Sequence, residues 1–546
     1  MTIRQLRVDN GDVVQAPGER KAIISAIVIV VILRLFTLGC PPFLDRTEAR
    51  AALISKIVLE TGQPFVLQSP IEGVLTPYWA KPPLHYWIGA IGQALFGSGE
   101  VGARIPGFVG YLATLVLTFA FGRKFFAEDT ALRAVLVLAS TPLFNVISGL
   151  ALPDNTFLCF ITSAIVLSYF SLVERSLVGG IVQAGLGGAS LALSVLTKGP
   201  VGLILTWIPL LVWTLLQDKR PKDLLVKAVA HLLAILIITV PVFTQLEIQN
   251  PGYLKYMILK ENIGRYLQPD SIVTFGSVHR LYFGLGVIYG VVGFLPWSIS
   301  LFRLSWFKGL IKERNSNKEF LVYCAFWPMI FFSFTRSALG TYILPSLPFL
   351  SLLFAQMLTV VKPNDGALLR VGVLLCTIGS FAFGMSADLD REHTTYAVLL
   401  IATLAMCGLI GERKRTLPRF AVCLAIVLAI STVSLNAYLS DRFSTKHVLA
   451  AIDESHVAGL RAFTWETPYS AYMYDSALFR NLLVQRNAST SNLNVSDEEV
   501  QAKTCDSAVV SKKKDLHLLK KSPEASQLHR HGKWLWIENG CELLPR

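Results

Sequence analysis

Ionisable side chains are concentrated in one short stretch of an otherwise apolar sequence. Residues 44–87 lie between the first apolar segment and the next one and carry the following groups: Asp45, Glu48, Arg50, Lys81 and His85. Charged groups held close to hydrocarbon are costly and usually line a site or a water-filled cavity. A carboxylate there can take a proton from an attacking hydroxyl, and a cation can hold an anionic group. The stretch therefore predicts general-base and anion-binding chemistry.

Further polar residues occur where other apolar segments begin or end. Asp154 begins one such segment and Lys198 ends another. Two later polar connections add five more residues: Glu261, Asn262, Arg265, Arg336 and Tyr342. If these ends share one side of a membrane, carboxylates and cations converge at one water–lipid boundary. That arrangement suits a substrate with an anionic head and an apolar tail.

The composition indicates that membrane helices position these residues. Of 546 residues, 53% are hydrophobic and 16% are charged, and the apolar blocks of roughly 17 to 23 residues are long enough to span a bilayer. The predicted fold class is an all-α polytopic membrane protein. The formal charge of +13 would suggest a nucleic-acid partner in a soluble chain. Here Lys and Arg lie in short connectors, a pattern that indicates membrane topology and no nucleic acid.

We predict about thirteen spans within residues 1–438. They are expected near residues 22–39, 104–122, 130–148, 154–173, 178–196, 199–216, 225–245, 281–302, 319–335, 341–361, 367–387, 394–411 and 417–438. Segment 83–97 is short and polar at two positions, which favours an interfacial helix. With a cytoplasmic N-terminus, the basic connectors then face the cytoplasm. The external features are the loops 40–103 and 246–280, the corner at 153–154 and the tail.

The tail, residues 439–546, is more polar than the rest and predicts a small α/β domain on the external side. Its strand-like runs are residues 469–474, 507–510 and 534–537. A basic cluster at 512–521 is either a solvated face or a contact with anionic headgroups. Cys505 and Cys541 can form a disulfide if the compartment is oxidising.

A series of motifs appears in order over residues 20–350. They are residues 45–52, 60–65, 78–87, 152–155, 196–200, 250–254, 260–265 and 340–348. Together they resemble the GT-C class of lipid-linked-sugar glycosyltransferases. Within that class, the aminoarabinose transferases of lipid A and the protein O-mannosyltransferases are the most similar.

The resemblance implies a glycosyltransferase of a bacterial inner membrane. It would take a sugar from a polyprenyl (undecaprenyl) phosphate carrier on the periplasmic face and transfer it, with inversion, to lipid A or another glycolipid. It implies phosphate binding by four residues: Lys81, Lys198, Arg265 and Tyr342. Arg50 would anchor a carboxylate or phosphate, while His85 and Glu261 complete the expected substrate-binding set. Fixed cations would stabilise the charge that develops on the leaving phosphate.

Two departures from the family pattern bear on the catalytic carboxylate and on metals. The usual acidic pair of the first loop is Thr47-Glu48 in this chain. Threonine is a poor base, so Asp45 or Glu48 is the expected catalytic carboxylate, with Asp154 as a second one. The position where many relatives have a glutamate before Lys-Pro-Pro is Ala80. We therefore expect no metal bound there and no cofactor.

Other interpretations of these residues stay open. Glu48 and Arg50 can form a loop salt bridge, Asp154 can serve the start of a helix, and Lys198 can extend to the headgroups. His85 is more typical of a structural or headgroup contact than of a metal ligand.

Two other functions also stay open. The first is a protein O-glycosyltransferase that uses the same donor, and the second is a lipid-linked-sugar transporter or flippase. Against the second, ionisable residues inside the spans are sparse, with Arg34 and His231 as the main exceptions, whereas transporters need such groups near the bilayer centre.

Overall fold

The computed structural model describes most of the N-terminal half of the chain and parts of the remainder. The described ranges are residues 17–40, 42–43, 47–71, 74–217, 223–264, 318–335 and 340–360, with four short strands and a few single residues after position 417. The predicted spans at 281–302, 367–387 and 394–411 lie outside these ranges, as does most of the predicted span at 417–438.

Helices dominate the described residues. In chain order they are α1 Pro17–Phe36, α2 Glu48–Thr61, α3 Leu84–Phe96, α4 Glu100–Phe125, α5 Glu128–Ser140, α6 Pro142–Ile147, α7 Pro153–Val173, α8 Leu177–Lys198, α9 Val201–Leu216, α10 Leu224–Gln249, α11 Tyr253–Lys255, a π-helix at Tyr256–Gly264, α12 Lys318–Ser333, a 3-10 helix at Gly340–Ser346 and α13 Leu347–Val360.

Several helices match the predicted spans. Among the described residues, four are long and apolar enough to cross a membrane: α4, α7, α8 and α10. They coincide with the spans predicted at 104–122, 154–173, 178–196 and 225–245. The span predicted at 130–148 is divided into α5 and α6, because Pro142 begins a new helix and cannot continue the preceding one. The chain is a multi-pass membrane protein.

The short segment predicted at the interface is α3. Its 13 residues give a length of about 20 Å, too short for a hydrocarbon core of about 30 Å. It packs against α2 and α4. Leu95 and Phe96, at its C-terminal end, are exposed, whereas His85, in its first turn, is buried. The first turn therefore faces protein.

Glycines allow close packing in the centre of the helical bundle. Helix α8 packs against both α7 and α10. A Cβ atom at Gly187 would lie 2.7 Å from the Ser168 hydroxyl of α7, and one at Gly188 would collide with the His231 carbonyl oxygen of α10. His231 itself is satisfied within the bundle, since Trp207 donates to its Nε2 across 3.2 Å. Small residues thus allow these backbones to approach, as is common between membrane helices.

Aromatic rings join five of the helices into one core. Tyr169 of α7 stacks on Phe320 of α12 with ring centroids 4.8 Å apart, and Trp213 of α9 packs beside both rings. Phe121 of α4 meets Tyr169, Phe320 and Phe349 of α13 edge to face. Offset and edge contacts of this kind favour specific ring geometries, so the cluster fixes how these helices are arranged.

Strands occur in two places. Between α2 and α3, β1 Gln68–Ile71 and β2 Val74–Pro77 form an antiparallel hairpin. In the C-terminal part, β3 Leu460–Arg461, β4 Ser507–Val510, β5 Leu528–His531 and β6 Trp534–Glu538 form a sheet in the order β3-β4-β6-β5, in which only the β3–β4 pair is parallel.

The predicted strands at 507–510 and 534–537 are confirmed. In the run predicted as a strand at 469–474, Met473 is the described residue and it is helical, so the prediction is wrong at that residue. The α/β domain as a whole and its boundaries remain a prediction, and Cys505 and Cys541 lie outside the described residues.

A buried ion pair connects the segment between α1 and α3 to the bundle. Arg104 of α4 donates from Nε to Glu48 Oε1 across 2.7 Å and from Nη2 to Glu48 Oε2 across 3.1 Å. Its guanidinium also donates to the carbonyl oxygens of Leu38 at 2.9 Å and Pro42 at 3.1 Å. The Ala151 N–H donates to Glu48 Oε1 across 3.0 Å. The two charged side chains are 0% and 2% exposed, so one desolvated pair holds four chain segments together.

Arg104→Met is expected to destabilise the protein severely. It leaves the Glu48 carboxylate buried without its cation, a loss that typically costs about 3–5 kcal/mol. Thermal unfolding of detergent-purified protein measures the effect. Arg123→Met, an exposed change near the C-terminal end of the same helix, is the matched control and should unfold like wild type. Arg104→Met combined with Glu48→Gln should recover part of the loss. A wild-type midpoint for Arg104→Met alone would contradict the structural role of the pair.

Candidate functional site

A cavity of about 360 Å³ opens where several helices end. The beginnings of α7 and α9, the end of α8, the π-helix, the end of α12 and the 3-10 helix all contribute to it. Its polar lining includes Lys81, Asp154, Lys198, Glu261, Asn262, Thr341 and Tyr342. The sequence-predicted residues Lys81, Asp154, Lys198, Glu261 and Tyr342 therefore lie together around one cavity.

An ion pair between two transmembrane helices lies at the centre of the polar lining. Lys198 Nζ lies 2.9 Å from Asp154 Oδ1, and the two side chains are 13% and 11% exposed. Asp154 also accepts a hydrogen bond from the Thr341 side chain and lies near the Lys81 ammonium. A carboxylate and two ammonium groups are thus held close together with little water around them.

Local sequence explains why both partners point into the cavity. Pro153 occupies the first position of α7, where its missing N–H costs no hydrogen bond and its fixed φ suits a helix. Asp154 then falls in the first turn, where the helix dipole favours a negative charge. Lys198 is in the last turn of α8, and Gly199 follows with φ of 87°. That conformation is rare for other residues, and it turns the chain directly into α9.

Two aromatic rings surround the Lys198 ammonium. The Nζ atom lies 5.1 Å from the centroid of the Tyr342 ring and 5.3 Å from that of the Phe157 ring. Ring faces attract a cation at this range. Since the Asp154 carboxylate contacts the same ammonium, Lys198 is held in one position and has little freedom to extend to the headgroups. The alternative of a snorkelling lysine does not describe this geometry.

The π-helix provides one wall of the cavity. Glu261 and Asn262 both line it, and Asn262 donates to the Met257 carbonyl oxygen across 2.7 Å, which fixes its side chain. A Cβ atom at Gly199 would lie 3.3 Å from the amide of Asn262. The glycine turn after Lys198 therefore packs closely against this wall.

The remaining walls are apolar. They come from α7, α9, α12 and the 3-10 helix and include Phe157, Val201, Ile204, Phe331, Phe332 and Leu344. The cavity therefore combines charged groups with apolar walls.

Three of the predicted site residues lie away from the cavity lining. Glu48 is locked in the buried pair with Arg104. Arg50 is half-buried, with its guanidinium carbon 5.6 Å from the centroid of the Tyr78 ring. His85 is buried behind the cavity, where its Nδ1 lies 3.3 Å from Thr156 Oγ1. Burial lowers the pKa of His85 to about 4, so its imidazole is neutral at pH 7.

Three others, Asp45, Arg265 and Arg336, fall outside the described residues. Within the described ranges, no three His, Cys, Asp or Glu side chains come together as metal ligands.

Sequence reasoning missed four residues of the site and its support. Thr341, which bonds Asp154, is adjacent to Tyr342 in the motif at 340–348, so that motif contained a usable signal. Phe157 lies one helical turn after Asp154, but an aromatic residue within an apolar span gives no sign of a contact with a cation. The roles of Arg104 and Thr156 depend on long-range contacts that no local pattern indicates.

The arrangement can bind an anionic group and stabilise negative charge. Preorganised cations in a site with little water stabilise a developing anion without reorganising. A carboxylate beside them orients a cation, and the apolar wall can hold a lipid tail. These features together suit a ligand with an anionic group and an apolar part.

Comparison with known proteins agrees with this chemistry. Residues 80–246 match the family of dolichyl-phosphate-mannose-protein mannosyltransferases. The chain is 28% identical over 317 residues to the undecaprenyl phosphate-alpha-4-amino-4-deoxy-L-arabinose arabinosyl transferase of Pseudomonas aeruginosa strain LESB58, covering 56% of each protein. It is 28% identical over 390 residues to the corresponding transferase 1 of Proteus mirabilis, covering 67% of this chain and 66% of the relative. The match to the Pseudomonas protein thus spans a little over half of that relative's length.

The fold has a match that spans nearly the whole chain. The crystal structure of ArnT from Cupriavidus metallidurans bound to undecaprenyl phosphate superposes with a TM-score of 0.74 at 20% identity, covering 96% of this chain and 99% of ArnT. The same protein in the apo state gives a TM-score of 0.70. The resemblance predicted from the sequence motifs is confirmed: the chain is similar in sequence to the aminoarabinose transferases and has the fold of ArnT.

Proposed function

We propose that the protein is a membrane glycosyltransferase that moves a sugar from a polyprenyl phosphate carrier to an envelope glycolipid. The observation that carries the proposal is the cavity in which Lys81 and the Lys198–Asp154 pair lie beside an apolar wall. In this proposal the sugar phosphate contacts the charged residues, and the polyprenyl chain lies along the apolar wall. Relatives of this chain are named for an undecaprenyl phosphate sugar donor, which supports the same donor class here.

The cationic side chains bind the phosphate in this proposal. Lys81 and Lys198 supply positive charge, Tyr342 supplies a hydroxyl donor, and Arg265 is proposed from its motif position alone. As the acceptor attacks the anomeric carbon, the bond from that carbon to the phosphate oxygen breaks and a phosphate monoester leaves. The cations stabilise the charge on that oxygen. In-line attack inverts the configuration at carbon.

The acceptor loses a proton to a carboxylate. Glu48 and Asp154 both have cationic partners in the structure, which occupy carboxylate lone pairs that a general base would need free. Asp45 is therefore our choice for the base, with Asp154 holding Lys198 in place. Glu261, which lines the cavity, is proposed to contact the sugar.

The proposed acceptor is lipid A or a related glycolipid on the periplasmic face of the inner membrane. The positive-inside pattern of the connectors supports this orientation. The second candidate is transfer to protein hydroxyls. The match of residues 80–246 to the protein mannosyltransferase family favours it.

Asp154→Asn and Lys198→Ala are each expected to lower transfer by about a hundredfold or more, since removing one preorganised charge has that scale of effect. The assay is sugar transfer by purified protein with a polyprenyl phosphate sugar donor. Because the residues form one pair, the double variant should be little worse than either single one. Lys255→Ala is the control: this lysine is exposed in the neighbouring α11. Wild-type turnover in both single variants would sink the site assignment.

A polyprenyl phosphate is expected to copurify with the wild-type protein. Mass spectrometry of lipid extracts from the detergent-purified protein should detect it, and Lys81→Ala should lower the amount because a cation near the phosphate is lost. Lys255→Ala should retain the lipid. Equal amounts in Lys81→Ala and wild type would rule out the phosphate role of Lys81.

Deletion of the gene is expected to remove a sugar from an envelope glycolipid. Mass spectrometry of lipid A and of secreted proteins from the deletion strain, and from the strain complemented with Asp154→Asn, compares the two acceptor classes. Loss of a glycan from proteins with unchanged glycolipids would instead establish the second candidate.

A further inference from the structure

We propose that His85 is a positioning residue that fixes the segment bearing Lys81 against the corner bearing Asp154. The proposal rests on the function proposed above, because it assigns His85 a role in the same reaction. His85 does not line the cavity, so in this proposal it contacts neither the sugar donor nor the acceptor. It acts through the placement of two residues that do line it.

His85 lies close in sequence to Lys81. Three residues, two of them prolines, separate the lysine from the histidine in the first turn of α3. Proline fixes the backbone φ and restricts the residue before it, so this connection is stiff. Whatever holds His85 therefore also limits where Lys81 can lie.

The contacts of His85 fall on both sides of Asp154 along the chain. Its Nδ1 lies 3.3 Å from the hydroxyl of Thr156, two residues after Asp154, and it hydrogen-bonds the backbone of Ala151, three residues before Asp154. His85 is 4% exposed, Thr156 4% and Ala151 3%. One imidazole therefore binds both ends of the corner formed by residues 151–156.

The same corner is held from a second direction. The Ala151 N–H donates to the Glu48 carboxylate across 3.0 Å, and Asn155 donates to the Ile147 carbonyl oxygen across 2.8 Å. The backbone around Asp154 is thus fixed to the bundle by Glu48 and to α3 by His85. The His85 contacts connect this corner to the Lys81 segment through α3, in addition to the approach of the Lys81 ammonium to Asp154 itself.

The neutral state of His85 suits a positioning role. With a pKa of about 4 caused by burial, the imidazole neither supplies nor accepts a proton at pH 7. A neutral ring offers one donor and one acceptor nitrogen, which matches two partners. An apolar replacement would leave the Thr156 hydroxyl and the Ala151 backbone group buried without this partner, and buried unsatisfied groups are costly.

The consequence for the reaction follows from geometry. Lys81 and Asp154 come from different elements. In the proposed mechanism Lys81 contacts the donor phosphate, and Asp154 positions the Lys198 ammonium group that contacts the same phosphate. Misplacement of catalytic groups by about 1 Å can cost about a hundredfold in rate. Loss of His85 should therefore lower turnover while the cavity, with its remaining cations and apolar wall, still binds donor.

The test compares His85→Leu, His85→Gln and Thr156→Val with wild type. We expect His85→Leu to lower kcat by about tenfold and to change the donor KM by less than about threefold, the scale of a partial misplacement. Glutamine keeps a donor and an acceptor, so His85→Gln should recover part of the rate. Thr156→Val removes one partner and should lower kcat in the same direction, and combining it with His85→Leu should add little.

The matched control is Thr162→Val on the same helix. Thr162 is also buried, and its hydroxyl has no hydrogen-bond partner among the described residues, so this variant should turn over like wild type. If His85→Leu fails to fold, Thr156→Val and His85→Gln, each judged against Thr162→Val, decide the question.

Wild-type kcat in His85→Leu, or equal losses in Thr156→Val and Thr162→Val, would overturn the proposal. If either outcome occurred while Asp154→Asn was inactive, the role of His85 would be wrong and the proposed function would stand. Full activity in Asp154→Asn would overturn the site assignment, and the absence of sugar transfer by the wild-type protein would overturn the proposed function itself.

Discussion

The buried pair of Arg104 and Glu48 is the constraint that places the segment between α1 and α3 against the bundle. Two charges removed from water must keep their partners, since separating them would leave one ion in a low-dielectric interior. Arg104 also donates to carbonyl oxygens at the end of the α1 segment and at Pro42, and Glu48 begins α2. Four segments therefore meet at one point, and the loop cannot separate from the bundle without breaking that point.

The candidate site is positioned indirectly by the Arg104–Glu48 pair. Glu48 holds the Ala151 N–H, and the corner that follows leads into α7 with Asp154 in its first turn. Lys198 reaches the same place from the end of α8, where a glycine turn reverses the chain. The ion pair between them thus joins two elements that other contacts already position. Electrostatic stabilisation of a reacting anion depends on this kind of preorganisation.

Local sequence patterns predicted much of the fold and of the candidate site. The remaining features depend on contacts between residues that are far apart in the sequence. Apolar length located α4, α7, α8 and α10, and the motifs placed Asp154, Lys198 and Tyr342 around one cavity. The sequence could not distinguish a structural role of Glu48 from a catalytic one. Its partner Arg104 is 56 residues away in a helix with no distinguishing pattern. The burial of His85 could not be predicted for the same reason: a short helix after two prolines indicates an interface, while the burial depends on contacts with α7.

Among the carboxylates proposed for catalysis, the structure favours a division of roles. A base needs an oxygen whose lone pairs are available to a proton. Glu48 uses both oxygens on Arg104, and Asp154 has Lys198 at 2.9 Å. These two carboxylates are therefore suited to orient cations and backbone. We therefore keep Asp45, three residues before Glu48, as the proposed group that takes the acceptor's proton. In that proposal the threonine at position 47 shifts the role of the usual acidic residue along the loop, while Glu48 keeps the loop attached to the bundle.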